Sequence, residues 1–212
     1  MIKKIAIIGG GGHAKVVASI ILKLSEYEII GYADTKDMGK LLGFPYLGTD
    51  DSFISKYRNK IEFVALGVGQ IETCEIRKCI VKKYEDANFK FPSVVSPTAI
   101  INRNVKIGKG TVIMDGVVIN VDTKIGEYSI VNTNSTIEHD CKIGDFVHIA
   151  PGVTMSGNVT IGNNCMIGVG SIIIQGIKII ANTFVGAGSV VTKNIEIIGK
   201  YVGIPSRRVK DL

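Results

Sequence analysis

From Ile101 to Val191 the chain reads INRNVKIGKGTVIMDGVVINVDTKIGEYSIVNTNSTIEHDCKIGDFVHIAPGVTMSGNVTIGNNCMIGVGSIIIQGIKIIANTFVGAGSVV. Every sixth residue counted from Ile101 is a large aliphatic side chain, through Ile113, Ile125, Ile137, Ile149, Ile161, Ile173 and Val185 to Val191, and no insertion breaks the count. If about a third of positions were aliphatic by chance, such a run would arise about once in tens of millions of trials, so the stretch is a structural repeat. Four residues after each aliphatic position stands a smaller one, among them Thr123, Ser129, Ser135, Cys141, Val147, Val153 and Cys165. A rung with one large and one small inward side chain suits one flat side of a parallel β-helix. Three rungs make a coil, so the stretch is expected to hold about five coils, on the order of 24 Å tall at the usual spacing of neighbouring strands.

The 212 residues are 46% hydrophobic, and the isoleucine-rich rungs account for that content without a membrane span. No run of apolar residues approaches the roughly 18 that a spanning helix needs. The opening MIKKIAIIGGGG passes straight into a glycine loop, unlike a signal peptide, and predicts a cytoplasmic protein. A net charge of +6 favours an anionic partner. Apart from a cluster at the end (Lys200, Arg207, Arg208, Lys210) the basic residues are scattered, and no nucleic-acid motif accompanies them. Phosphorylated small molecules fit better than nucleic acid. Four cysteines without metal-ligand spacing indicate neither a disulfide framework nor a metal site; Cys141 and Cys165 hold inward positions of the repeat.

Ahead of the repeat, Lys4–Ile8 is a short apolar run leading into GGGGHAKVVASIILKL, which predicts a buried strand, a glycine loop and an apolar-faced helix. Gly9, Gly11 and Ala14 satisfy a G-x-G-x-x-A spacing, in which backbone N–H groups and a helix N-terminus can approach a diphosphate. A second strand, Glu28–Ala33, ends at Asp34, where such folds place a carboxylate near a ribose or base. A short strand is expected near 45–47, a helix over 49–59, a strand over 61–66 followed by Gly67, and a helix over 72–84. Size favours one βαβαβ half and hence a single nucleotide. The expected organisation is a Rossmann-like α/β half-domain over residues 1–91 and an all-β parallel β-helix with a C-terminal tail over 92–212.

The I-G-x-x-[STV]-x rungs resemble the hexapeptide-repeat acyltransferases, and that resemblance implies a left-handed helix and a homotrimer. The GGGGHAKVV-type domain ahead of an uninterrupted repeat, together with IEHDCKIGDFVHIAPG over 137–152 and the closing Gly203-Ile204-Pro205-Ser206-Arg207, is similar to the sugar acetyltransferases of the bacillosamine and sialic-acid pathways. By that resemblance the first domain holds a nucleotide-linked amino sugar through Gly11, Gly12, His13, Asp34 and Gly67, with Asn132 near the sugar. Acetyl-CoA then lies along His148, Gly157, Val169 and Ala187, in a groove between helices of the trimer. His139 acts as general base, oriented by Asp140, and no metal takes part.

The spacing itself adds that His139 is third in its rung, a turn position that faces outward, and that Gly157 stands one coil away in the same column. His148, sixth in its rung, is also expected to face outward, half a coil from His139. The reading that follows is acetyl-CoA-dependent N-acetylation of a UDP- or GDP-linked 4-amino sugar. O-acetylation of a sialic acid, a non-catalytic sugar-nucleotide-binding scaffold and a nicotinamide oxidoreductase are the alternatives. The intact His139-Asp140 pair opposes the scaffold, and the missing second half-domain opposes the oxidoreductase.

Overall fold

The computed structural model describes residues 2–71 and 73–210. Glu72, where the third helix was expected to start, lies outside them, as does the side chain of Lys210 in the basic tail. The chain divides into two compact units, Met1–Gln70 with Cys74–Pro97, and Ile71–Thr73 with Thr98–Leu212.

The first unit is built on three parallel strands, β1 (Lys3–Ile8), β2 (Tyr27–Ala33) and β3 (Phe63–Leu66), in the order β2-β1-β3. Ile5 to Ile8 of β1 are buried without alternation, as a central parallel strand covered on both faces requires. Register places Ile8 beside Ala33 and Leu66, so the turns after all three strands open at one carboxyl edge. Helix α1 (Gly12–Ile21) follows β1 and buries Ala14, Val17, Ala18 and Ile21. Helix α2 (Asp50–Tyr57) is capped by the Thr49 hydroxyl, which accepts from the Ser52 N–H, and carries Asp50 and Asp51 in its first turn, where the helix dipole favours carboxylates. Helix α3 (Glu75–Asp86) starts later than expected, after Cys74. The strand expected at 45–47 reduces to one bridge between Tyr32 and Tyr46; Pro45 has no N–H to extend a ladder, and Gly48 turns the chain at φ 114°. Phe53, Tyr84, Phe89 and Phe91 close the far side as a cluster of tilted rings.

The second unit is a parallel β-helix with three flat faces. The first face stacks Val112–Ile113, Ile130–Val131, His148–Ile149, Met166–Ile167 and Phe184–Val185. The second carries six strands from Ile100–Ile101 to Val190–Val191, and the third five from Lys106–Ile107 to Lys178–Ile179. Partners are one coil apart throughout, as in Ile130 with His148 and Lys142 with Thr160. Six strands on one face bound the five coil repeats that the spacing predicts.

The aliphatic column is fully buried at Ile113, Val131, Ile149, Ile167 and Val185, and only the first coil is open, with Ile101 36% exposed. Each such side chain contributes about 1.5–3 kcal/mol of burial. The small inward positions are buried too, and most of their hydroxyls are satisfied in a regular way, Thr183 being the exception. Thr111, Thr123, Ser129, Ser135 and Ser171 each donate to a carbonyl of the next coil at 2.7–2.9 Å. This is why serine and threonine fit a core that would otherwise penalise them.

The fourth place of many rungs has left-handed backbone, filled by Asn or Asp at 104, 122, 134, 140, 158, 164 and 182 with φ near 60°. Short polar side chains adopt that region most readily after glycine. Beyond Val191, strand Lys200–Val202 extends the first face, and Arg207–Lys210 pairs antiparallel to it, covering an edge that would otherwise stay open.

Candidate active site

His139 stands on the turn between the second and third faces. The Thr123 hydroxyl fixes both ends of that turn, donating to the Glu138 carbonyl at 2.9 Å and accepting from the Cys141 N–H at 3.1 Å. The Asp140 backbone is left-handed, φ 60°, which suits aspartate where glutamate would be less at ease. Its Oδ2 lies 2.7 Å from His139 Nδ1. A carboxylate can only accept, so in the neutral ring the proton lies on Nδ1 and the lone pair on Nε2. The imidazole is half exposed and extends over Gly157, where an added Cβ would lie 2.6 Å from Nε2.

A groove of about 960 Å³ opens beside this pair, lined by His139, Asp140, Asn158 and Gln175 and by the stacked Lys106, Lys124 and Lys142. Like charges one coil apart repel, so an anion beside them is favoured. On the column before His139, Asn102 Nδ2 donates to Asn120 Oδ1 at 3.1 Å, and Asn120 Nδ2 donates to Glu138 Oε2 at 2.9 Å. This ladder holds a second carboxylate next to His139.

His148 lies on the first face. It is on the outer side of its strand, as expected, yet only 8% exposed. The outer column it occupies, with Val112, Ile130 and Met166, is apolar and itself buried. Asn132 Oδ1 accepts from the Thr133 N–H at 2.8 Å, which turns Nδ2 toward His148 Nε2 at 3.2 Å. The two residues, expected to serve different substrates, are direct partners. Val169 and Ala187 stack, exposed, on the corner after the first face, and Gly157 is on the corner after the second. Within one chain the expected acetyl-CoA residues therefore occupy two corners and a face.

Gly11, Gly12, His13, Asp34 and Gly67 do converge. They line one pocket of about 370 Å³ at the carboxyl edge of the three-stranded sheet, with Val68, Asp50, Ile76 and Ile80. Gly11 and Gly12 have open space where side chains would stand. At Gly67, by contrast, a Cβ would press on Ile7 and Ala14, so glycine there serves strand-to-helix packing. Asp34 holds the loop: Oδ2 accepts from the Gly10 N–H at 2.6 Å, and Oδ1 from the Thr35 hydroxyl at 3.0 Å. Arg77, 1% exposed, donates from Nη1 to the Val68 carbonyl and so ties the loop after β3 to α3. Burial lowers its pKa to about 10, which leaves it cationic at neutral pH.

Spacing could have revealed the lysine column and the Asn102-Asn120-Glu138 ladder, since each member is 18 residues from the next. Asp50 and Ile76 carry no such signal, because only the tertiary fold brings them to the glycine loop. No group of three or more potential metal ligands occurs among the described residues. No helix among them is long and apolar enough to cross a membrane.

Comparison with known proteins places this geometry. Residues 4–84 match the PglD N-terminal domain family, and residues 122–157 match the bacterial transferase hexapeptide family (six repeats). A UDP-N-acetylbacillosamine N-acetyltransferase of Bacillus subtilis (strain 168) is 31% identical over 112 residues, a match spanning 53% of this chain and 51% of that protein. The chain thus matches about half the length of this curated relative. A GDP-perosamine N-acetyltransferase from Caulobacter crescentus, solved as a histidine-to-alanine mutant in complex with CoA and GDP-perosamine, is 31% identical with a TM-score of 0.92, over 100% of this chain and 99% of that one. The acetyltransferase domain of PglB from Neisseria gonorrhoeae FA1090, in complex with acetyl coenzyme A, is 32% identical with a TM-score of 0.90, over 99% and 100%. The fold and these relatives define a left-handed β-helix acyltransferase with an α/β domain ahead of it. The chain belongs to the hexapeptide-repeat sugar N-acetyltransferases with a PglD-type N-terminal domain.

Proposed function

We propose that the protein transfers the acetyl group of acetyl-CoA to the 4-amino group of a nucleotide-linked amino sugar, with His139 as general base. The observation that carries this reading is the His139 ring, held by Asp140 through Nδ1 and extended over side-chain-free Gly157. Nε2 is left to face the groove as a base.

In the reaction the sugar nitrogen attacks the thioester carbonyl, forming the C–N bond while Nε2 takes the N–H proton. The C–S bond then breaks, and the departing thiolate receives that proton as CoA. The Gly157 N–H makes no backbone hydrogen bond among the described residues and can donate to the thioester oxygen as charge develops there. The glycine loop supplies remote binding energy that brings the amine to the base.

The two corners that carry Gly157 and the Val169-Ala187 pair favour a site completed by a neighbouring copy in a homotrimer. Relatives solved with CoA and GDP-perosamine, or with acetyl coenzyme A, support the two substrate classes. The test is CoA thiol release from acetyl-CoA with GDP-perosamine, a UDP-4-amino sugar and a sialic acid as acceptors. Turnover with one of the amino sugars, lost in His139→Asn, is the expected result; turnover with the sialic acid alone would replace N-acetylation by O-acetylation.

A further inference from the structure

The pocket beside the glycine loop is electrostatically one-sided. Its charged lining consists of two carboxylates, Asp34 and Asp50, and neither lysine nor arginine borders it. Its walls include Val68, Ile76 and Ile80, and Ile76 is 69% exposed at the end of α3 that faces this space. On the other side of Gly11 and Gly12 a second, smaller pocket of about 180 Å³ is bordered by Lys15 and Lys40. The loop thus separates an acidic, apolar compartment from a basic one. Phosphate groups are repelled by the first and attracted by the second, whereas a flat neutral ring suits the first.

Asp50 is built to accept from such a ring. It stands in the first turn of α2. Its Oδ1 accepts from the Tyr84 hydroxyl at 2.8 Å, and that phenol is fully buried, so it stays a donor and fixes the carboxylate. Burial and the neighbouring Asp50 charge push the Tyr84 pKa up, consistent with this role. Oδ2 accepts no hydrogen bond from the described residues, whereas both oxygens of Asp34 are engaged.

We propose that Asp50 reads the nucleobase by accepting from a ring N–H, so that the apolar side of the glycine loop takes a base of the uracil or guanine type while the diphosphate lies over Gly11-Gly12 toward Lys15 and Lys40. Uracil presents N3–H, and guanine presents N1–H beside its 2-amino group. Adenine and cytosine present a ring nitrogen lone pair at the corresponding edge, which a carboxylate repels. This inference rests on the reading of the first unit as a nucleotide-sugar site, and it fixes the direction in which the nucleotide lies.

Isothermal titration of the full-length protein with UDP, GDP, ADP and CDP, and separately with acetyl-CoA, tests it. UDP or GDP should bind about tenfold or more tighter than both ADP and CDP, since a site built for a hydrogen-bond donor rejects its absence. Asp50→Asn still accepts from Tyr84 but adds a donor. It should bring the affinity ratio toward one while leaving acetyl-CoA affinity unchanged. Lys15→Ala with Lys40→Ala should weaken all four diphosphates by a similar factor. ADP or CDP binding as tightly as both UDP and GDP, or an unchanged ratio in Asp50→Asn, overturns the assignment to Asp50. Binding of acetyl-CoA with none of the four diphosphates overturns the nucleotide site itself.

Discussion

The imidazole of His139 fills the space that a side chain at residue 157 would need: a Cβ on Gly157 would sit 2.6 Å from both Nε2 and Cε1. These two residues are one coil apart, and the position of the ring depends on an absence in the coil above it. The Gly157 backbone is not in the left-handed region, so alanine is conformationally acceptable there. Gly157→Ala should therefore fold normally yet displace the ring, lowering kcat by about 10–10²-fold, as expected when a catalytic group moves by about an ångström. A melting curve and steady-state kinetics on one preparation check it; wild-type turnover would show that the ring position does not matter.

His139→Asn should lower kcat by about 10²–10⁴-fold, the usual worth of a general base, with acetyl-CoA affinity retained. His148→Ala should chiefly weaken acetyl-CoA. If both variants bind acetyl-CoA like wild type and lose the same modest activity, the two histidines have been assigned wrongly. Because His139 and His148 stand on a corner and a face of one prism, mixed trimers of His139→Asn and His148→Ala subunits should regain activity that neither pure variant has. Light scattering that shows an active monomer would remove the basis for this.

Thr123→Val removes a hydroxyl that bridges Glu138 and Cys141 while keeping the shape of the side chain. The loss of two buried hydrogen bonds should cost about 1–3 kcal/mol in denaturant unfolding. Turnover should fall as well, because the bridge spans the turn that presents His139 and Asp140. Equal loss of stability with Ser135→Ala, whose hydroxyl serves a different turn, should leave kcat near wild type.

Asp140→Asn should lower turnover more than Asp140→Gly. Asparagine offers an N–H to Nδ1, which moves the ring proton to Nε2 and removes the base; a loss approaching 10⁴-fold has precedent for such a tautomer change. Glycine keeps the φ 60° backbone and loses only the orienting carboxylate. Proton-detected NMR of the imidazole in each variant would show which nitrogen is protonated.

Cys79 is exposed on α3, while Cys74, Cys141 and Cys165 are buried. Burial also raises the pKa of the Cys74 and Cys141 thiols, so their reactive thiolate forms are depleted at neutral pH. A thiol reagent should label a single site in the folded protein, abolished by Cys79→Ser, and all four cysteines after unfolding.

The repeat was legible because its signal is redundant: the inward positions from Ile113 to Val191 have one job, and the spacing states it many times over. The His139-Asp140 turn was legible for a related reason, since a histidine at an outward turn place is not needed for packing. His148 shows the limit. Its place in the rung tells that it points away from the prism interior, but not that the outer column with Ile130 and Met166 is covered. Thr123 shows another, since the period marks it as small and inward but not as the clasp of the His139-Asp140 turn. Asp50 lay beyond reach of any local pattern, because Asp34, Asp50 and Ile76 meet only through the order β2-β1-β3. Helix α3 begins at Glu75, with Cys74 as its N-cap and the Cys74 carbonyl accepting from the Lys78 N–H, later than the start expected at Glu72.

The unbroken 18-residue pairing of the coils also makes this protein a graduated scale. One added coil advances the far end of the prism by about 4.8 Å and returns every column to its own bearing. Insertion of 18 residues beyond the His139 corner would thus lengthen the wall of the prism without rotating His139. A six-residue insertion would instead carry all later columns round by one face. Reach and orientation are separately adjustable in such a scaffold, and chain length alone selects which of them changes.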